Sequence, residues 1–231
     1  METQQGAGFV IWLTGMNRAG KSTLAKHLAG RLAAAGRPVE LLDEDGDAAL
    51  LLEGLGTSKD DRARAVARLG YVAKAVMRSG GVAVCAALSP FRDARELLRK
   101  EARRFVEVFV DCSMEELQRR DPEGIYARAL AGELKEIPGV DVPYEPPARP
   151  EVTVHSDQLP VEEAGTRVFQ ALVDAKYVGP TEFGRLTGGL RPRRGKAGRE
   201  GARRKLDAKA PARKAPRKVA ARRPKPSKAR R

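Results

Sequence analysis

The sequence predicts an α/β fold in which a parallel sheet is flanked by helices, followed by a basic segment with no core of its own. Three observations predict it. Short runs that are apolar on both faces alternate with stretches of helical period, the pattern of parallel strands joined by crossover helices. A glycine-rich turn ending in lysine and serine joins the first apolar run to the first helical stretch. Near residue 180 the composition changes to Gly, Pro, Ala, Lys and Arg.

Residues 9–15, FVIWLTG, read as a buried first strand. Leu24, Leu28 and Leu32 then mark one face of a helix, which Gly36 and Pro38 end. VELLD at 39–43 is the second strand, and 60–79 is a helix turning Val66, Leu69, Ala73 and Val76 inward. VAVCAAL at 82–88 is the third strand, 91–103 a helix, and FVEVFVD at 105–111 the fourth strand. Ser113 and Glu116 have the spacing of a capping box and open another helix. Residues 121–150, rich in Gly, Pro and charge, are long for a plain connection and read as an active-site lid. A fifth strand follows at 152–155, and a last helix at 161–176 packs Val168, Phe169 and Leu172.

The chain thus divides into a short extension at 1–8, one domain at 9–178 and a Lys/Arg/Ala/Pro-rich tail at 179–231, expected to be disordered. The net charge of +14 conceals an asymmetry. Residues 1–180 hold 24 Lys/Arg against 27 Asp/Glu, and residues 181–231 hold 20 against 3. The folded part is therefore about −3 and the tail +17, so the charge argument for nucleic acid falls on the tail, which suits non-specific contact with DNA or RNA by counterion release, or serves as a solubilising appendage. Two cysteines, Cys85 and Cys112, lie in apolar runs and read as core thiols, which excludes a disulfide framework. The longest apolar run, 82–88, is too short to span a bilayer, and residues 1–8 have no signal-peptide pattern, so a cytoplasmic protein with no membrane partner is expected.

The turn GMNRAGKS, Gly15 to Ser22, matches GxxxxGK[ST] between a strand and a helix, the placement of a phosphate-binding P-loop. Gly15 and Gly20 let the backbone curl around phosphate oxygens, with Asn17, Arg18, Ala19 and Thr23 completing an ATP-binding turn. Lys21 is placed to reach the β- and γ-phosphates, and Ser22 to offer its hydroxyl to Mg²⁺. Asp43 and Asp45 end the second strand, the edge where parallel sheets build their sites.

Several strings together resemble the adenylyl-sulfate kinase (APS kinase) family over about residues 9–172. They are IWLTG before the P-loop, LLDED at 41–45, LGTSKDDR at 55–62, LSPFRDAR at 88–95, FVDC at 109–112, and the lid string RRDPEGIYARALAGELKEIPGVDVPYEPP at 119–147. The resemblance implies transfer of the γ-phosphoryl of MgATP to the 3′-hydroxyl of adenosine 5′-phosphosulfate (APS), giving PAPS, and a homodimer. It implies that Lys21, Asp45 and Ser89 serve catalysis, with Asp45 facing the acceptor hydroxyl. It further implies that Asp43 holds Mg²⁺ through water, that Arg120 and Arg128 are lid cations on ATP, and that Asp43, Arg62, Ser89 and Arg92 join Asp45 around the small anionic acceptor.

The chain departs from the family pattern at five places on or near the acceptor side. Glu44 stands for a glycine of LDGDxxR, Ala48 for its arginine, Thr57 for a stacking aromatic, Ala65 for an asparagine and Glu123 for a lid lysine. Three readings stay open on the sequence: an APS kinase, a kinase of similar build acting on another small hydroxyl compound, or a nucleotide-binding module without catalysis that serves the tail.

Overall fold

A computed structural model describes residues 6–193, so most of the expected basic tail lies outside the described residues. Five strands, β1 (Phe9–Thr14), β2 (Val39–Asp43), β3 (Val82–Ala87), β4 (Phe105–Asp111) and β5 (Val152–His155), pair in parallel in the order β2-β3-β1-β4-β5. They are connected by α1 (Lys21–Ala34), a 3₁₀ helix (Asp47–Leu52), α2 (Lys59–Arg78), α3 (Arg92–Glu101), α4 (Met114–Arg119) and α5 (Ile125–Leu130); α6 (Val161–Asp174) and α7 (Pro180–Thr187) follow β5.

The two-residue period of a strand explains why these runs are apolar throughout. Phe9, Ile11 and Leu13 of β1 belong to one core with Leu24 and Leu28 of α1 and Val168 and Leu172 of α6. Val10 and Trp12 face the other way, into a core with Val66 and Leu69 of α2 and Leu98 of α3. The sheet is thus buried on both faces, and Cys85 and Cys112 are free, buried thiols. The chain runs from β1 through α1 to β2 on one side and returns from β3 to β4 on the other. This reversal opens a crevice at the carboxyl ends of the strands, where such sheets hold ligands.

Three local expectations are modified. α2 starts one residue earlier than its period suggested, because Ser58 caps it by accepting the Asp61 N–H at 3.1 Å. The capping box at α4 does not form: Ser113 makes no side-chain cap, and Glu116 turns to Arg119 and Arg120, which donate to it at 2.6 Å. Charge-assisted bonds to two guanidinium groups are stronger than one to a backbone amide.

The third change concerns the segment from 179, whose start is the helix α7. Arg37 holds Glu182 through two bonds of 2.7 and 3.0 Å, Arg31 donates to the Leu186 carbonyl at 2.7 Å, and Phe183 and Leu186 enter the core beside α1. Each of those apolar side chains contributes roughly 1.5–3 kcal/mol by burial. Ending the chain at residue 179 is therefore expected to lower Tm by about 10 °C. Ending it at 193 should leave Tm almost unchanged, as thermal denaturation of the two truncations can establish. Among the described residues no helix is long and apolar enough to cross a membrane.

Candidate active site

The β1–α1 turn is shaped by sterics before any ligand arrives. A Cβ on Gly15 would lie 2.3 Å from the Val110 carbonyl oxygen, so only glycine fits against β4. Gly20 caps α1 with φ 93°, and Arg18 also adopts a left-handed φ of 63°. A curled backbone leading into the N-terminus of the 14-residue α1 makes a cradle for phosphate. The turn is braced from the lid segment, where Tyr126 donates its hydroxyl to the Asn17 carbonyl at 2.8 Å and Glu123 pairs with Arg18 at 2.7 Å. The Arg18 cation is thus engaged by one of the departures from the family pattern.

Two hollows are linked through Lys21, which lines the first, and Glu44, which lines the second, 4.0 Å apart. The larger, about 440 Å³, is a groove lined by Arg18, Gly20, Lys21, Ser22, Thr23, Asp45, Arg120 and Ser156, among others. The smaller, about 180 Å³, lies between α2 and the end of β3, with Leu52, Leu55, Ala65, Val66 and Leu69 as apolar walls and Glu44, Arg62 and Ser89 as its polar side chains. Lys21 is buried, donates to the Met16 carbonyl at 3.2 Å and lies 4.0 Å from Glu44 Oε1. Burial lowers the pKa of the Lys21 ammonium, opposed by the charges of Glu44, Asp45 and Asp43. Burial likewise pushes the Glu44 carboxyl up to about 7, opposed by Lys21. Each group would be poorly accommodated without the other.

Ser22 Oγ donates to Asp43 Oδ1 at 3.0 Å, and the Asp45 N–H reaches the same oxygen at 3.3 Å. A hydroxyl and a buried carboxylate beside the phosphate cradle are hard oxygen donors, the kind Mg²⁺ takes when phosphates and water complete its shell. The pair fits that ion.

At the end of β3, Ser89 has φ 36°, a strained value for a residue with a side chain. Its hydroxyl donates to Thr14 Oγ1 at 2.9 Å and accepts from Trp12 Nε1 at 3.2 Å, while its carbonyl accepts from Arg95. Arg95 is fully buried and also donates to Glu107 Oε1 at 2.9 Å and to the Glu145 carbonyl at 2.5 Å. One guanidinium thus ties β3, β4 and the returning lid segment together.

The structure brings most of the residues singled out in the sequence to these two hollows and separates others. Gly20, Lys21, Ser22, Thr23, Arg18, Arg120 and Asp45 line the groove, and Arg62 and Ser89 the smaller cavity. Asp43 lines neither; it is buried and bonded to Ser22. Asp45 does not line the smaller cavity; Glu44 does. Arg92 lines neither, bonding instead to Glu145 and the Pro146 carbonyl, and Arg128 pairs on the surface with Glu133 at 3.6 Å. Ala48 is buried in the core under α2, and Thr57 and Arg62 both bond to Glu136 of the lid segment. Neither Leu50, Leu51 nor Arg18 fills the smaller cavity. Sequence reasoning missed Arg95, Tyr126 and the placement of Glu44. For Glu44 a signal existed: alternation along the strand turns residue 44 to the side opposite Asp43.

The family model described as adenylylsulphate kinase matches residues 7–155. An adenylyl-sulfate kinase of Picosynechococcus sp. is 42% identical over 173 residues, covering 75% of this chain and 98% of the relative. A probable bifunctional SAT/APS kinase of Sorangium cellulosum is 45% identical over 172 residues, 74% of this chain but 30% of that longer protein. Among solved structures, the APS kinase of Mycobacterium tuberculosis in complex with AMPPNP and APS superposes with a TM-score of 0.67 at 34% identity, covering 72% of this chain and 98% of that one.

Proposed function

The chain belongs to the adenylyl-sulfate kinase family, and on that premise we propose that it moves the γ-phosphoryl of MgATP to the 3′-hydroxyl of adenosine 5′-phosphosulfate, forming PAPS and ADP. The observation that carries this reading is that the buried Lys21 lines a phosphate-cradling groove and lies 4.0 Å from Glu44, which lines a second, mostly apolar cavity. A donor nucleotide in the groove and an acceptor entering from the cavity side converge on one ammonium.

In this reading the β1–α1 turn holds the ATP phosphates through its backbone, and Arg18 and Arg120 line the same groove. Lys21 bridges the β- and γ-phosphates and stabilises charge developing on the transferred group. Ser22 and Asp43 would hold Mg²⁺, and the ion would supply neutralisation of the charge on the nucleotide phosphates. The acceptor oxygen forms a bond to the γ-phosphorus, the bond to the β–γ bridging oxygen breaks, ADP leaves with the electron pair, and the hydroxyl proton is released to water. Contacts at Glu123, Tyr126 and Glu136 tie the lid segment to the phosphate turn and to Thr57 and Arg62. The cavity of about 180 Å³ is small for a whole nucleotide, so the Thr57 and Arg62 contacts to Glu136 open when the acceptor enters.

Adding APS to the protein and MgATP should raise ADP release at least tenfold over MgATP alone; ADP release indifferent to APS would oppose the reading. Ser22→Ala is expected to raise the Mg²⁺ concentration needed for half-maximal rate about tenfold while sparing nucleotide affinity in EDTA, as a metal titration can measure. For the remaining partners, the charge asymmetry supports non-specific nucleic-acid contact by the basic segment, lost steeply between low and moderate salt. Removing residues 194–231 would test this without disturbing α7. A cytoplasmic homodimer is the assembly expected of the chain, measurable by sedimentation.

A further inference from the structure

Residue 18 stands at the tip of the phosphate turn, where the backbone is held and the side chain is half in water. The Ala19 N–H closes the turn on the Met16 carbonyl at 3.2 Å, and Tyr126 donates its hydroxyl to the Asn17 carbonyl at 2.8 Å. Arg18 takes a left-handed φ of 63°, which glycine adopts without cost, so the turn carries a long cation here against a backbone penalty. Such an outlier lining a ligand groove points to a use for its side chain.

Of the guanidinium groups singled out for the nucleotide, Arg18 is the one in the groove with donors to spare. Arg120 gives Nε to Glu116 at 2.6 Å, Nη1 to the Ser156 hydroxyl at 3.3 Å and Nη2 to the Ser156 carbonyl at 2.9 Å. Arg128 pairs with Glu133 and does not line the groove. Among the described residues Arg18 bonds only through Nη2, to Glu123 Oε1 at 2.7 Å, which leaves most of its donors uncommitted. That pair is open to water, its side chains 38% and 65% exposed, so it is weak and screened by salt. Phosphate accepts two parallel bonds from a guanidinium, a stronger union than the single bond to Glu123.

Taking the groove as the ATP site of the kinase reading, we propose that Arg18 is an exchangeable phosphate ligand. In the free protein Glu123 holds it; the terminal phosphates of ATP then draw the guanidinium off Glu123 and set it beside Lys21. The head group moves on a fixed base, because the bond from Tyr126 to Asn17 involves the backbone and not the Arg18 side chain. Glu123 thus competes with the nucleotide, and removing its charge tightens ATP binding. A pair that served only to tether the lid segment to the turn would have the opposite effect.

Calorimetric titration of the full chain with a non-hydrolysable ATP analogue and, separately, with ADP, both with Mg²⁺ at about 0.15 M salt, tests the exchange. The variants are Glu123→Gln, Arg18→Gly, Arg18→Asn and the double variant Glu123→Gln/Arg18→Gly. Glycine and asparagine both suit the left-handed backbone, so the turn keeps its shape. Each Arg18 variant should weaken the analogue about 10- to 100-fold, and ADP less. Glu123→Gln should tighten the analogue about two- to fivefold, a gain that shrinks to within about 1.5-fold once Arg18 is glycine. Analogue affinity left within about twofold by both Arg18 variants, looser binding by Glu123→Gln, or a Glu123→Gln gain that persists without Arg18 would each overturn the exchange. No acceptor is present in these titrations, so a parent chain that binds the analogue but forms no PAPS would strike the acceptor reading alone. A parent chain that binds no analogue would overturn both.

Discussion

Lys21→Ala is expected to lower kcat about 10²- to 10⁴-fold and to weaken ATP binding as well. The side chain is buried at the nucleotide groove, anchored on the Met16 carbonyl at 3.2 Å, with Glu44 of the smaller cavity as its carboxylate partner. In so dry a position an ammonium interacts strongly with phosphoryl oxygens, and water entering the space left by alanine reproduces neither its charge nor its placement. Folding should survive, because Glu44 relieves the loss of its partner by taking up a proton, a change that its raised pKa of about 7 already favours. Lys21→Arg is no rescue, since a planar guanidinium has neither the shape nor the point charge of the ammonium. Single-turnover phosphoryl transfer and circular dichroism separate the two effects. A well-folded Lys21→Ala protein with a rate near the parent's would refute the role of this residue.

Arg95→Met is expected to cost about 3–5 kcal/mol of stability, a drop in Tm of about 10 °C or more, although it replaces a charge with an apolar side chain. The damage lies in what is left behind. Glu107 is buried in β4 and keeps only Arg99, at 2.9 Å, as a cationic partner, while the Ser89 and Glu145 carbonyls lose a donor. Ser89 holds its strained φ of 36° partly through that bond, so the end of β3 and the lid return should loosen together and the KM for the acceptor should rise. The double variant Arg95→Met/Glu107→Leu should regain part of the lost Tm without regaining the acceptor KM. A single variant within about 2 °C of the parent would contradict this account of the β3–β4–lid junction.

These effects mark the boundary of what the sequence discloses. The five strands and α1 are legible because a period of two or of 3.6 is a local property, and Leu24, Leu28 and Leu32 declare their face without reference to anything distant. The phosphate turn is legible because its glycines, lysine and serine act through backbone geometry within eight residues. α7 is hidden because its Phe183 and Leu186 are diluted by the lysines and arginines that follow, and its anchors, Arg31 and Arg37, lie about 150 residues earlier. The pattern at Ser113 and Glu116 misleads because Arg119 and Arg120 compete for the same carboxylate. The site divides in the same way. A match of motif to motif directs attention to Asp45, whereas strand alternation, the packing of α2 and the end of β3 bring Glu44 to the acceptor cavity. Arg95 has no local signature, for its three partners come from three separate parts of the chain.

The claim that these parts form a working APS kinase is tested most directly by following labelled γ-phosphate from MgATP. The purified full chain is incubated with APS and, separately, with a panel of nucleosides, sugars and alcohols, and the products are identified. Label should appear in PAPS, equimolar with ADP and dependent on Mg²⁺ and Lys21. ATP bound without transfer to APS, or label recovered in another hydroxyl compound in preference to APS, would contradict the account.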